Sequence, residues 1–369
     1  MKVLLLITKG EVGGAQNFVA NLARGLKKEK GQDLDLVIAC GQGDFLANFA
    51  QQEGIKFFRF KSLQRSGGFF SNLRFLFDFF KYLKQYNFDI IHLNSSNALI
   101  GAMIAKIVNR KTKIVFTVHG LSILDPNYQS SYFKKILFKS FFKWNFLFID
   151  KIVFVSQKNL DLLTQNSRFI ARKSFLIYNG IQADFLDREE ARSFLLDKIG
   201  ESDDNLFLFG SIGRLAYQKN YEFLLNNFSE VLKIKNNARL ILIGDGPKRE
   251  EYERIILKQG LEKHVFLLGE IVDASKYLKA LDLFILPSIY EGLSISLIEA
   301  YLANIKSIAS LVGGNEEIIG QKYCFELNNL EDFLRVLEMT LNSKIDYQDQ
   351  EKFSLDTMVK KYLNIYEER

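Results

Sequence analysis

Leu206-Phe207-Leu208-Phe209-Gly210-Ser211-Ile212-Gly213-Arg214-Leu215 decides the architecture of this 369-residue chain. It reads as an apolar strand ending in a glycine turn that carries a cation, with Gln218-Lys219-Asn220 opening the next helix. A short apolar run bounded by such a turn and followed by a helical stretch is the mark of a buried parallel strand. The same alternation has already run once upstream. Apolar runs at 3–7, 34–39, 57–60, 89–93, 113–118 and 151–155 are separated by helical segments at about 15–30, 69–86, 97–108 and 129–148. At Leu206 it restarts and continues through 239–243, 265–268, 283–286 and 307–309, closing with helical pattern at 330–341 and about 349–368. Strands alternating with helices give a parallel sheet covered on both faces, and a restart gives a second such sheet. The expected architecture is α/β, two Rossmann-like domains facing each other across a cleft. The boundaries predicted are 1–185, 186–348 and a C-terminal helix at 349–369 that could pack back toward the N-terminal domain. The polar stretch at about 182–205, with Asp187, Glu189, Glu190, Asp203 and Asp204, is read as the connection.

Composition narrows the class. Hydrophobic residues make up 48% and charged residues 25%, ordinary for a globular protein and unlike disorder, collagen or coiled coil. Cys40 and Cys324 fit neither a disulfide framework nor a zinc motif. The run Val3-Leu4-Leu5-Leu6-Ile7 stops after five residues and lacks a cleavage site, so it reads as a first strand rather than a secretion signal. No stretch of about 20 apolar residues is present to span a bilayer. A soluble or peripheral protein is expected. The formal charge of +6 conceals an asymmetry: residues 1–185 hold 26 Lys plus Arg against 12 Asp plus Glu, whereas 186–369 hold 23 against 31. A first half at +14 suggests an anionic partner for it.

Chemistry gathers where strands end. Gly13-Gly14-Ala15-Gln16 follows the first strand and opens a helix, which suits either a close approach to an anion or simply a tight turn. It is not the dinucleotide fingerprint. His119, before Gly120, ends the strand at 113–118 and can meet a substrate, or it can be a loop histidine bonded to backbone. His92 sits within an apolar run and reads as a core residue; His264 reads as a surface one. Arg214 and Lys219 place two cations at a strand end beside a helix N-terminus, a good diphosphate site. Glu291-Gly292-Leu293-Ser294 runs into a helix that carries Glu299. Eight positions of helix rise span roughly 12 Å, comparable to the reach from a sugar across a diphosphate to a ribose. Carboxylates accept from sugar hydroxyls, and the amides of Gly292, Leu293 and Ser294 are available to a phosphate. Gly244-Asp245-Gly246-Pro247 and Val312-Gly313-Gly314-Asn315 repeat the strand-to-helix turn. Asp33-Leu34-Asp35 matches a metal-binding D-x-D only nominally, since it begins a strand.

Taken together, Gly13-Gly14, His119-Gly120, Asn179-Gly180-Ile181, Gly213-Arg214-Leu215 with Lys219, Gly244-Asp245-Gly246, the Glu291/Glu299 pair and Gly313-Gly314 resemble the retaining glycosyltransferases of family 4, which have the GT-B fold. The resemblance covers nearly the whole chain. It implies that Arg214 and Lys219 hold the donor diphosphate, Glu299 the ribose hydroxyls, and Glu291 the donor sugar beside the amides of Gly292, Leu293 and Ser294. It further implies that His119 contacts the transferred sugar, that Gly13 and Gly14 lie on the acceptor side with Gly14 also near the phosphate, and that Glu270 sits where the base is held. Ser294 stands where many members carry Gly or Pro. His119, Glu291, Arg214 and Lys219 are the expected catalytic set, with no metal or cofactor required.

Two segments bear on the acceptor. Residues 69–86 and 132–149 interleave Phe, Tyr and Trp with Arg74, Lys81, Lys84, Lys134, Lys135, Lys139 and Lys143. Such helices suit an anionic interface, or else an aromatic core with a solvated charged face. With the basic first half, they favour a polyprenyl-diphosphate-linked saccharide at the inner face of the cell membrane, with a UDP-linked hexose or N-acetylhexosamine as donor. Nucleic acid is not expected, because no recognised binding module appears. The competing expectations are a soluble acceptor, a nucleotide-sugar epimerase, or a non-catalytic nucleotide-sugar-binding scaffold.

Overall fold

An unbroken run of five aliphatic side chains, with successive residues pointing to opposite faces, forms a stable strand only if both faces are covered. In the computed structural model, which describes residues 1–64, 68–165, 167–344 and 347–368 (of Ser122 the backbone only), Val3 to Ile7 are at most 1% exposed. They form the middle of β1 (Lys2–Lys9). Val3, Leu5 and Ile7 pack with Phe18, Leu22 and Leu26 of the helix Gly14–Lys30, while Leu4 and Leu6 pack with Phe75 and Phe79 of the helix Phe69–Gln85. Further strands follow as β2 (Asp35–Gln42), β3 (Lys56–Arg59), β4 (Ile90–Leu93), β5 (Lys113–Val118), β6 (Lys151–Phe154) and β7 (Ser174–Leu176). They lie in the order β3-β2-β1-β4-β5-β6-β7, and every neighbour pair is parallel.

The second sheet repeats this winding. Its strands are β8 (Phe207–Ile212), β9 (Ala238–Ile243), β10 (Val265–Gly269), β11 (Leu283–Leu286), β12 (Ser307–Ser310) and β13 (Cys324–Phe325), ordered β10-β9-β8-β11-β12-β13 and again all parallel. In both sheets the winding reverses beside the first strand, between β1 and β4 and between β8 and β11. Loops at the carboxyl ends of those strands diverge there and leave room for a ligand.

The chain divides into two units, Met1–Gln182 with Glu351–Arg369, and Ala183–Gln350. Their formal charges are +15 and −9. The stretch read as a polar connection is instead largely a helix, Arg188–Ile199, belonging to the second unit. Asp187 caps its N-terminus, Gly200 ends it in a left-handed conformation, and Ala191, Leu195 and Leu196 are buried. Its buried Arg192 and its Arg188 both reach Asp282, at 3.3 and 2.5 Å, while Glu189, Glu190, Asp197 and Lys198 are exposed, so its polar composition is that of a helix with one solvated face rather than of a linker.

The final helix, Leu355–Glu367, packs within the first unit against the helix Gly14–Lys30. His92, fully buried in β4, ties it down: Nδ1 lies 2.6 Å from the Tyr366 hydroxyl and Nε2 lies 2.7 Å from Thr117 Oγ1, which in turn meets the Tyr362 hydroxyl at 2.8 Å. Lys113 Nζ donates to the carbonyls of Ile365 and Tyr366 at the helix C-terminus, both at 3.0 Å. The core role expected of His92 is therefore what the structure shows. His264 is half-buried, 3.3 Å from the Ala238 carbonyl.

Candidate active site

In the second unit, β8 runs into Gly213-Arg214-Leu215, and a single 3-10 turn, Tyr217–Lys219, carries the chain to the helix Tyr221–Ile234. Asn220, with φ of 54°, makes the corner and is held by Nδ2 donating to the Pro287 carbonyl at 3.1 Å. Lys219 is thereby placed just outside the helix start, beside the loop that follows β11. There its Nζ meets Glu291 Oε1 at 2.8 Å, and both side chains are largely buried, 15% and 9% exposed. The Ser288 hydroxyl donates to the same carboxylate oxygen at 2.8 Å, and Gln218 Nε2 approaches the other at 3.4 Å.

Glycines make this closeness possible. A Cβ on Gly244, whose φ is 134°, would lie 2.2 Å from the Gly213 carbonyl, so the turn after β9 can press against the turn after β8 only without a side chain. Gly313, with φ of 52°, likewise sets its backbone where a Cβ would fall 2.3 Å from the Glu291 carbonyl, and the neighbouring Gly314 amide donates to the Gly292 carbonyl at 2.8 Å. The Gly313-Gly314 turn is thus the support on which the Glu291 loop rests.

Gly292, Leu293 and Ser294 are buried in that loop. Ser294 is the N-cap of the helix Ile295–Leu302, its hydroxyl accepting from the Leu297 amide at 3.4 Å. A serine at this position therefore satisfies a helix-start amide and does not obstruct the loop. Glu299, one face further along the helix, is half-buried; surrounding protein pushes its carboxyl up to about 7, against a hydrogen bond from Ser275 that favours ionisation. Arg214 is exposed and makes no ion pair among the described residues. Glu270, just beyond β10, is exposed as well. The structure therefore joins Lys219 directly to Glu291, places Gly292 to Ser294 in the same loop, and leaves Arg214 and Glu270 uncommitted.

In the first unit, the ends of β1, β4 and β5 carry a different set. Gly13 caps the helix Gly14–Lys30 with extended backbone, and Gln16 Nε2 donates back to the Lys9 carbonyl at 3.1 Å. His119, immediately beyond β5, packs edge-on to Phe18 with ring centroids 4.6 Å apart and has Nε2 3.4 Å from Asn94 Oδ1. Burial holds its imidazole neutral, with a pKa pushed down to about 3. Asn94, itself buried, donates to the His92 carbonyl at 3.0 Å, and Thr8 and Ser95 join hydroxyls at 2.6 Å. Gly13, Gly14 and His119 thus stand at the switch point of the first sheet, with neutral Asn94 beside the imidazole and the Lys9–Glu11 ion pair, at 2.9 Å, at the end of β1.

Asn94, Ser275, Ser288 and Gln218 were not among the expected site residues. Asn94 and Ser288 each lie one or two residues past a buried strand at a switch point, and that position alone marks them. Ser275 is brought to Glu299 only by packing.

The two aromatic, basic helices are mixed. In Phe69–Gln85, Phe75, Phe79 and Tyr82 are buried, but Phe69, Phe70, Leu73 and Phe77 face outward with Arg74, Lys81 and Lys84. In Tyr132–Asn145 only Phe142 and Asn145 are buried; Tyr132, Phe133, Leu137 and Trp144 are exposed beside Lys134, Lys139 and Lys143. Lys135 differs from Lys139 and Lys143, being half-buried with Nζ near the Asp125 carbonyl at 3.4 Å. No helix among the described residues is long and apolar enough to cross a membrane.

Comparison with known proteins agrees with this anatomy. The family model Glycosyltransferase Family 4 matches residues 12–185, and Glycosyl transferases group 1 matches residues 194–354. A UDP-Gal:alpha-D-GlcNAc-diphosphoundecaprenol alpha-1,3-galactosyltransferase of Escherichia coli is 25% identical over 328 residues, covering 85% of this chain and 82% of the relative. An N-acetylgalactosamine-N,N'-diacetylbacillosaminyl-diphospho-undecaprenol 4-alpha-N-acetylgalactosaminyltransferase of Campylobacter jejuni is 27% identical over 212 residues, 58% of this chain and 54% of the relative. Among solved structures, Anabaena HepE in complex with UDP and glucose aligns over 100% of both chains with a TM-score of 0.76 at 19% identity. That likeness establishes the fold as GT-B.

Proposed function

The chain belongs to glycosyltransferase family 4, and from that premise we propose that it moves a hexose or N-acetylhexosamine from a UDP-linked donor to a polyprenyl-diphosphate-linked saccharide. The observation that carries the donor half is the Lys219–Glu291 pair at the ends of β8 and β11, a cation and a carboxylate 2.8 Å apart. A departing nucleoside diphosphate gains charge as its bond to the sugar breaks. Arg214 and Lys219, with the amides of Gly292 to Ser294, would stabilise that charge without a metal. Glu291 would accept from sugar hydroxyls and Glu299 from the ribose. His119, kept neutral, would offer a hydrogen bond to the transferred sugar without adding charge. Retention of anomeric configuration, through attack on the face the leaving phosphate occupies, belongs to the same proposal.

The acceptor half rests on observations of a different kind: the names of the Escherichia coli and Campylobacter jejuni relatives specify undecaprenyl-diphosphate acceptors. Exposed Phe69, Phe70, Phe77, Tyr132, Phe133 and Trp144 among lysines fit a peripheral seat on an anionic leaflet, at the inner face of the cell membrane.

The test is transfer from a panel of nucleotide sugars to a short polyprenyl-diphosphate saccharide in anionic vesicles. Lys219→Ala and Glu291→Ala should each lower transfer by about 100-fold or more while circular dichroism is unchanged. Near-normal turnover in both variants would sink the donor assignment, and sugar release independent of the lipid acceptor would sink the acceptor.

A further inference from the structure

We propose that the Lys219–Glu291 ion pair is exchanged when a nucleoside diphosphate binds: Lys219 leaves Glu291 for the diphosphate, and Ser288 keeps Glu291 in position afterwards. This rests on the assignment of the site to the donor diphosphate.

The geometry makes one partner of Glu291 movable and the others fixed. Lys219 reaches Glu291 on a flexible four-carbon stem. Ser288 is fully buried at the end of β11, and its own carbonyl accepts from Ser310 Oγ at 2.5 Å. Gln218 is held by side chain and backbone, its Nε2 on the Tyr290 carbonyl at 3.0 Å and its main-chain carbonyl accepting from the Ile289 amide at 2.8 Å. Were Lys219 the only partner, its departure would strand a carboxylate that is only 8% exposed, which is costly. The Ser288 hydroxyl at 2.8 Å and the Gln218 amide at 3.4 Å remain to satisfy it. Lys219 itself exchanges one anion for another of higher charge. The consequence is order: in the free protein Glu291 is engaged by a cation, and it becomes available to a sugar hydroxyl only once the diphosphate has taken that cation. Ser288 is accordingly a positioning residue, acting through Glu291.

Calorimetric titration with UDP, which carries the diphosphate but no sugar, separates the possibilities on the full chain. Glu291→Gln keeps the side-chain length and an acceptor for Ser288 while removing the competitor for Lys219. It should bind UDP about tenfold more tightly than the wild type even as transfer falls. In a Lys219→Ala background the same substitution should change UDP affinity by less than about twofold, because nothing is left to exchange. An equal gain in both backgrounds would mean simple charge repulsion and would overturn the exchange. No gain in either background would overturn it too, while weakened but measurable UDP binding in Lys219→Ala would support the assignment of Lys219 to the diphosphate. Should Lys219→Ala bind UDP normally, the site assignment falls together with the exchange. Ser288→Ala should hold UDP affinity within about twofold and lower kcat about tenfold, with Ser288→Thr restoring kcat. An unchanged kcat in Ser288→Ala would remove Ser288 from the scheme.

Discussion

The two sheets share one winding and differ in what stands at the switch point. In the acidic unit, at −9, the ends of β8 and β11 bring together a lysine and a glutamate with an uncommitted Arg214 on the same loop as the lysine. In the basic unit, at +15, the ends of β1, β4 and β5 present glycine backbone, a neutral His119, Asn94 and paired hydroxyls. A unit's net charge is therefore not the charge of its site. The reason is that each unit's excess charge lies largely outside its site, as with Lys81, Lys134 and Lys143 on exposed helix faces. Site electrostatics come from a few side chains at strand ends. A unit's net charge informs only on its surface and what the surface meets.

The sharpest way to break this contrast is to compare losses of transfer. Lys219→Met, which removes the charge but keeps the stem, should cost about 1,000-fold in kcat/KM, whereas His119→Gln, which keeps a neutral hydrogen-bonding group, should cost only about ten- to 100-fold. Equal losses would show that the first unit's site also works by charge. A smaller effect tests the support beneath Glu291. Gly313→Ala puts a methyl against the Glu291 carbonyl at a strained φ of 52°, and should cost about 2–3 kcal/mol, seen as a lower Tm and reduced transfer. Gly200→Ala, in the left-handed region (φ 72°) but with nothing near its Cβ, should cost about 1 kcal/mol and leave transfer alone. Similar penalties for the two would mean that the Gly313 turn does not support the loop.

The smallest effect concerns Glu299. In the free protein its carboxyl holds a proton up to about pH 7, whereas ribose hydroxyls donating to it favour the ionised form. Binding then releases a proton, and UDP affinity should fall as pH drops, by about tenfold between pH 8 and 6. Glu299→Gln should flatten the profile; a wild-type profile already flat over that range would exclude Glu299 from the nucleotide site.

How much was legible varied with how local the determinant was. The alternation of apolar runs, read with the turn at Gly213-Arg214, was enough for both parallel sheets, because a strand buried on both faces must be apolar throughout. Edge strands β7 and β13 escaped notice, being three and two residues long. The helix Arg188–Ile199 reads as a linker because its exposed face is densely charged, and its two arginines are anchored by Asp282, a partner some 90 positions away in sequence and invisible to any local pattern. In the site, Lys219 and Glu291 were both recognisable as strand-end residues with useful chemistry. Their pairing across 72 positions was not. Ser288 and Asn94 looked like ordinary polar residues after a strand, and only their burial against Glu291 and His119 gives them meaning.

By itself, then, the sequence determined the two-sheet architecture, the set of charged and glycine-rich residues at the strand ends, and the family. These depend on residue type, period and spacing, all of which are written along the chain. Only the tertiary structure decided that the last helix belongs to the first unit through His92, that surrounding protein raises the Glu299 carboxyl to about 7, and that Lys219 is already engaged by Glu291. Each of those depends on which distant segments are brought within hydrogen-bonding distance and how much water is excluded between them, and the folded packing alone fixes both.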